Sequence, residues 1–390
     1  MVSGRARRPG APARGVPVQG PPAREPGAPA VSGDPAELRA TVLRWHAGHR
    51  RSLPGREARE PWRVLVIEVM SQQTQIARSL VRAEAFCEQY PAPGSLARAS
   101  TADVVRAWAG LGYNRRALAL HEAARAIVDR HDGRVPADLA HLVALPGIGP
   151  YTARAIAARA HGLPVMPIDV NVRRVLGRLM GTDRPAAMQA FGDAIAGALP
   201  ASGPPATADA AVSPGAVSTH AVSPDAPSGL RGSRNTSAGA VPAAHPGDVA
   251  DALMDVAATV CRPRDPDCDV CPVHPWCAWH ARSEGGATER GALVAFEHGA
   301  LAALEPGAPA AHPARGRRRA ESGTPFPQTR RWLRGQLLRE LRDQPPGAWA
   351  SIEGERGTHG HAAVREVLVA LAAEGFVELD ERGRARLAED

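Results

Sequence analysis

Leu145-Pro146-Gly147-Ile148-Gly149 lies between two amphipathic segments, at about 137–144 and 150–161. Both segments space their apolar residues as helices do, so the stretch reads as helix, tight turn, helix. Two glycines let the turn close, and its backbone N–H groups then face outward at the N-terminus of the second helix. Such a place suits a phosphate, because unpaired N–H groups and the helix dipole both favour negative charge. On its own, a glycine turn is equally a plain structural connection. What it is for depends on its neighbours.

Amphipathic segments continue on both sides, at about 63–89, 101–109, 115–130, 170–180 and 248–260, with almost no β-branched alternation. That pattern predicts an all-α body. Asp34-Pro35 opens an earlier helix through Leu38, Val42 and Trp45, as an N-cap followed by proline at the first helical position. Residues 1–33, rich in Pro, Gly and Ala, read as a disordered basic leader. The core spans 34–201 and resumes at 248–280; between them, 202–247 collapses into Ala, Pro, Gly, Ser and Thr and reads as a low-complexity insertion. Residues 281–327 read as a linker. The last segment, 328–390, reads as helix, helix and a short hairpin across Asp380 to Gly383. It is either a winged-helix-like module or a small helical packing domain.

The 390 residues carry a formal net charge of +7, and all 47 basic side chains are arginine. A basic balance points only weakly to a polyanion. The missing lysine is the sharper fact, because no side-chain amine can then form a Schiff base. No stretch approaches a membrane span and the N-terminus lacks a signal peptide's apolar core, so a soluble, cytoplasmic chain is expected.

Two carboxylates stand in places that suggest chemistry. Glu68 interrupts the apolar run Val64-Leu65-Val66-Ile67-Glu68-Val69-Met70. A buried glutamate is costly unless paired or protonated, so it is either ion-paired with an arginine or a raised-pKa acid. Asp169, in Pro167-Ile168-Asp169-Val170-Asn171-Val172, begins a helix carrying Arg173, Arg174 and Arg178. It suits an N-cap, and the same helix terminus favours an ionised carboxylate able to stabilise a sugar cation. A proton-holding acid and an ionised carboxylate form the pair that glycosidic cleavage needs.

Four of the five cysteines, Cys261, Cys268, Cys271 and Cys277, fall in one C-x6-C-x2-C-x5-C run. Close thiolates bind a metal or cluster, or close disulfides. A single C-x2-C pair makes a poor zinc ribbon, although His274 and His280 lie near enough to substitute. The spacing suits four thiolates around one cubane cluster.

These features together resemble the adenine DNA glycosylases of the MutY family, within the helix-hairpin-helix, iron–sulfur glycosylases. The resemblance rests on Glu68-Val69-Met70-Ser71-Gln72-Gln73-Thr74-Gln75, Gly110-Leu111-Gly112-Tyr113, the glycine hairpin followed by Tyr151, Asp169 with Asn171, and the cysteine run. It covers about 36–280, minus the insertion. It implies two helical lobes with a [4Fe–4S] cluster loop on the four cysteines. The implied function is base excision repair as a monomer, at the nucleoid, on double-stranded DNA bearing A:8-oxoG or A:G mispairs. Glu68 would protonate adenine, Asp169 would stabilise the oxocarbenium ion, and Tyr151 and Asn171 would orient those carboxylates. Gln72, Gln73 and Tyr113 would enter the duplex, with Gly147, Gly149 and Arg173 on its backbone. The chain departs from the family pattern at Gly55, Ser71, Asn114 and Val170, and its C-terminal region lacks the strands of a Nudix-like reader. An endonuclease III-like glycosylase of other damaged bases is the nearest rival, but its lyase chemistry needs a lysine where Tyr151 stands. A catalytically decayed iron–sulfur DNA-binding protein is the other.

Overall fold

A computed structural model describes residues 33–53, 55–74, 76–197, 245–284 and 325–389. The leader, and most of the insertion and linker, lie outside the described residues. The described chain starts in one lobe with α1 (Pro35–His49), where the Asp34 side chain accepts from Ala36 N at 3.0 Å as an N-cap. It crosses to a second lobe built from α2 (Pro61–Ser71), α3 (Ile76–Gln89), α4 (Pro93–Ala97), α5 (Thr101–Ala107), α6 (Arg115–Arg130), α7 (Leu139–Val143) and α8 (Pro150–His161). It then returns to the first lobe for α9 (Val170–Met180), α10 (Pro185–Ala196), α11 (Pro246–Thr259) and α12 (Ala278–Glu284).

Each lobe has its own core. Trp62, Phe86, Trp108, Leu120, Leu142 and Ile156 fill the α2–α8 lobe. Leu38, Val42, Val172, Leu176, Leu253 and Val256 fill the other. The body is all-α, as its periodicity implied.

Some boundaries differ from the sequence reading. The amphipathic segment at about 63–89 is two helices, parted after Ser71. Arg116 is the reason: its Nη1 donates to the carbonyls of Val69, Met70 and Gln72 at 2.9, 3.0 and 2.5 Å, closing the end of α2. α11 begins inside the span read as insertion, because His245 Nδ1 accepts from Gly247 N at 3.1 Å and Pro246 takes the first helical position. α12 likewise runs to Glu284, past the expected end of the core.

The C-terminal residues form a third core around α13 (Arg330–Arg342) and α14 (His361–Ala373). An antiparallel hairpin of β1 (Val377–Leu379) and β2 (Ala385–Leu387) completes it, with Ala350 bridging to Ala385. Leu333, Leu337, Leu368 and Phe376 are buried there together with Ala102 and Val105 of α5. The module therefore shares its core with the α2–α8 lobe, and Ala102 N donates to Ala388 O at 2.8 Å. Among the described residues no helix is long and apolar enough to cross a membrane.

Candidate active site at the seam between lobes

α7, a turn and α8 form the expected hairpin. Leu145 and Ile148 are buried in the α2–α8 core and pin the turn down. Gly147 has φ 75°, and a Cβ there would meet Ala119 Cβ at 2.8 Å, so glycine is required twice over. Gly149 is the N-cap of α8 with no side-chain cap, which leaves the first amides of α8 available to a ligand.

Glu68 lies on the buried face of α2 and is 7% exposed. Arg159, near the end of α8, donates from Nη1 to Glu68 Oε1 at 2.8 Å, and its Nη2 lies 3.1 Å from Asp251 Oδ1 on α11. Burial pushes the Glu68 carboxyl above its ordinary range; Arg159 opposes this, while Asp251 and Asp169 add to it. Both expectations for Glu68 thus meet in one residue, which is ion-paired and still biased toward its proton.

Asp169 caps α9 from the other lobe. Its Oδ1 accepts from Asn171 N at 2.9 Å and Val172 N at 2.7 Å, and its Oδ2 accepts from Asn171 Nδ2 at 2.9 Å. Burial pushes the partly buried Tyr151 hydroxyl well up, and both Glu68 and Asp169 push it the same way. Glu68 on α2, Tyr151 on α8 and Asp169 at the start of α9 are therefore near enough to shift one another's charge, with Asn171 bonded to Asp169. Val170, next to Asp169, is 55% exposed, and Arg173 makes no ion pair among the described residues.

A second group forms to one side. Gln72 Nε2 donates to Thr152 Oγ1 at 3.2 Å, one residue beyond Tyr151. Gln73 and Tyr113 have φ of 52° and 45°, a left-handed backbone that is uncommon outside glycine. Arg116 binds the Gln72 turn and lies 5.4 Å from the Tyr113 ring centroid, so one guanidinium joins both loops.

The four cysteines are free thiols lining one pocket with Val175, Leu179, Val260 and Val273. Burial pushes Cys271 up to about 12 and raises Cys268 and Cys277, and the neighbouring thiols add to the cost of ionising each. Arg178 Nη1 sits 3.4 Å from Cys261 Sγ. An all-sulfur donor set whose members oppose one another's ionisation fits a metal-bearing group that compensates them. Among the described residues no His, Cys, Asp or Glu side chains gather in threes closely enough for a single ion. A cubane spreads its thiolates wider than a single ion does.

Residues 66–194 match the HhH-GPD superfamily of base excision DNA repair proteins. The adenine DNA glycosylase of Mycolicibacterium smegmatis is 32% identical over 369 residues, covering 92% of this chain and 97% of that protein. The chain belongs to the adenine DNA glycosylase family. The Mycobacterium tuberculosis member is 37% identical over 252 residues, 64% of this chain and 70% of its own length. The human member is 38% identical over 151 residues, 36% of this chain and 28% of its own length.

The protein is thus a DNA glycosylase of base excision repair, a hydrolase of N-glycosyl bonds. In this DNA glycosylase the sequence reading missed Arg159, Asp251 and Arg116. Arg159 follows Tyr151 on α8, but its partners lie 91 and 92 residues away in sequence. Only one hint was available, an arginine amid the small residues of Ala157-Ala158-Arg159-Ala160.

Proposed function

We propose that this glycosylase is monofunctional and removes adenine mispaired with 8-oxoguanine or guanine. The observation that carries the reading is the meeting of Glu68 and Asp169, one from each lobe, around Tyr151. With adenine turned out of the duplex into this seam, Glu68 gives its proton to the base ring. The bonding electrons leave with the base, and the positive charge left on the sugar is stabilised by the Asp169 carboxylate. Water then adds at the anomeric carbon and gives up a proton. Tyr151 and Asn171 hold the two carboxylates in place, Asn171 through its amide on Asp169. With no lysine in the chain, a lysine Schiff base has no part.

Gly147, Gly149 and Arg173 hold the DNA backbone, and Gln72, Gln73 and Tyr113 enter the duplex. Cys261, Cys268, Cys271 and Cys277 would hold a [4Fe–4S] cluster, which when bound orders the 261–277 loop. The enzyme works as a monomer, in the cytoplasm at the nucleoid.

One observation favours a second reading, a DNA-binding protein without excision. Arg159 on Glu68 stabilises the form that has no proton to give. Counting free bases released from duplexes bearing A:8-oxoG, A:G, or thymine or uracil opposite guanine separates the readings. Adenine released from the first two supports the proposal. Release of only the pyrimidines, or of nothing from duplexes that are bound, sinks it.

A further inference from the structure

Three consecutive residues beside the seam, Tyr113, Asn114 and Arg115, are each held by the C-terminal module. Arg331, at the start of α13, places its guanidinium carbon 4.3 Å from the Tyr113 ring centroid. Arg342, at the other end of α13, donates from Nη2 to Asn114 Oδ1 at 3.0 Å. Glu374, just after α14, accepts from Arg115 Nε at 2.9 Å. Burying apolar surface against α5 would keep the module attached without any of these contacts.

Tyr113 is the unusual member. It is 42% exposed and held at φ 45°, between Gly112 at 68° and the first turn of α6. Between the Arg331 and Arg116 guanidinium groups, part of its ring stays open to solvent. The arginine above it is set apart by that ring contact. Arg330 pairs with Glu366 at 2.6 Å and Arg334 with Glu374 at 2.7 Å, whereas Arg331 has no carboxylate partner among the described residues. Residues 330–389 hold ten arginines and ten Asp or Glu, so the module attracts a polyanion little through bulk charge. What it offers at this place is an uncompensated planar cation on an exposed aromatic ring, joined through Arg116 to the Gln72 turn. That chemistry suits a nucleic-acid strand, with phosphate for the guanidinium and a base for the ring.

We infer that the C-terminal module is part of the DNA-contacting surface, with Arg331 the positioning residue that holds Tyr113 against the strand opposite the excised base. The inference rests on the glycosylase reading for which strand is met, but its test does not need catalysis. Binding to A:8-oxoG and fully matched duplexes is measured by fluorescence anisotropy, with Glu68→Gln as the common background so that no substrate is consumed. Arg331→Ala weakens binding to the mispaired duplex about tenfold and narrows the gap to the matched one. Arg331→Lys does not restore the gap, because a compact ammonium lacks the planar stack. Arg365→Ala, which removes the same charge from α14, changes binding less than about threefold. Adding Arg331→Ala to Tyr113→Ala has little further effect if the two act as one unit. Equal losses from Arg331→Ala and Arg365→Ala, full rescue by lysine, or additivity with Tyr113→Ala would each overturn the inference. A wild-type protein that shows these binding effects yet releases no base leaves it standing and sinks the enzymatic reading instead.

Discussion

At Glu68 two opposing effects act on one carboxyl: burial raises its pKa and Arg159, 2.8 Å away, lowers it. Replacing Arg159 by Met removes the lowering cause and leaves burial, Asp251 and Asp169. The alkaline limb of the single-turnover pH–rate profile should therefore move to higher pH; an unmoved limb places the titrating acid elsewhere. The sign for stability follows from the same shift. The folded chain holds this proton more tightly than the unfolded chain, so the group's contribution is full below the ordinary glutamate range and is lost as pH rises through the raised value. Glu68→Gln should lower excision by about 10²–10⁴-fold while duplex binding persists, read by single-turnover kinetics beside anisotropy. Glu68 was legible because it breaks a local rule, a charge in an apolar run, and Asp169 because a helix start favours an ionised carboxylate whether it caps or reacts. Arg159 breaks none, since an arginine on an amphipathic helix is ordinary until the fold puts two acids beside it.

The hairpin between α7 and α8 and the docking of the C-terminal module make separate predictions. Gly147→Ala must hold a side chain at φ 75° and meet Ala119, at a cost of about 2 kcal/mol. It should lower the melting temperature and weaken DNA binding together; an unchanged melting point would show that the turn relaxes. Glu374 joins the module to α6. Although burial opposes its charge, hydrogen bonds from Arg115 and Arg334 bring it down to about 2. A depressed carboxylate stabilises the fold above its unfolded pKa and loses that effect as pH falls toward about 2. The melting difference between wild type and Glu374→Gln should therefore shrink from pH 5 to below 3, and a constant difference would mean the contact is not ionic. Periodicity gave the helices of both elements. The break at Gln72 and Gln73 was hidden because it comes from Arg116, forty-four residues away from Gln72 in sequence.

Across the molecule, the proposed chemistry and its support are divided between lobes. Glu68 comes from α2, Asp169 from α9, and Arg159 links α8 to Asp251 on α11, so the site exists only when the lobes are docked. The cysteine run belongs to the Asp169 lobe, where Arg174 Nε donates to Cys261 O at 2.9 Å and its Nη1 to Asn171 Oδ1 at 3.2 Å. Purified protein should carry about four irons per chain and absorb near ~400 nm. Cys271→Ser should lose that absorbance, and zinc in its place would change the assignment. The helices of both lobes could be foreseen from their apolar stripes, whereas their division into two lobes was implied only by the family resemblance. How the C-terminal module docks could not, because Ala102 and Val105 look like ordinary interior residues of α5. The central claim is that the seam carboxylates perform the chemistry, and Asp169→Asn tests it most directly because asparagine caps a helix as well as aspartate. Single-turnover excision of adenine from an A:8-oxoG duplex should fall by at least about 100-fold, with melting temperature and duplex affinity near wild type. Retained excision by Asp169→Asn would show that Asp169 is only a cap and contradict the assignment.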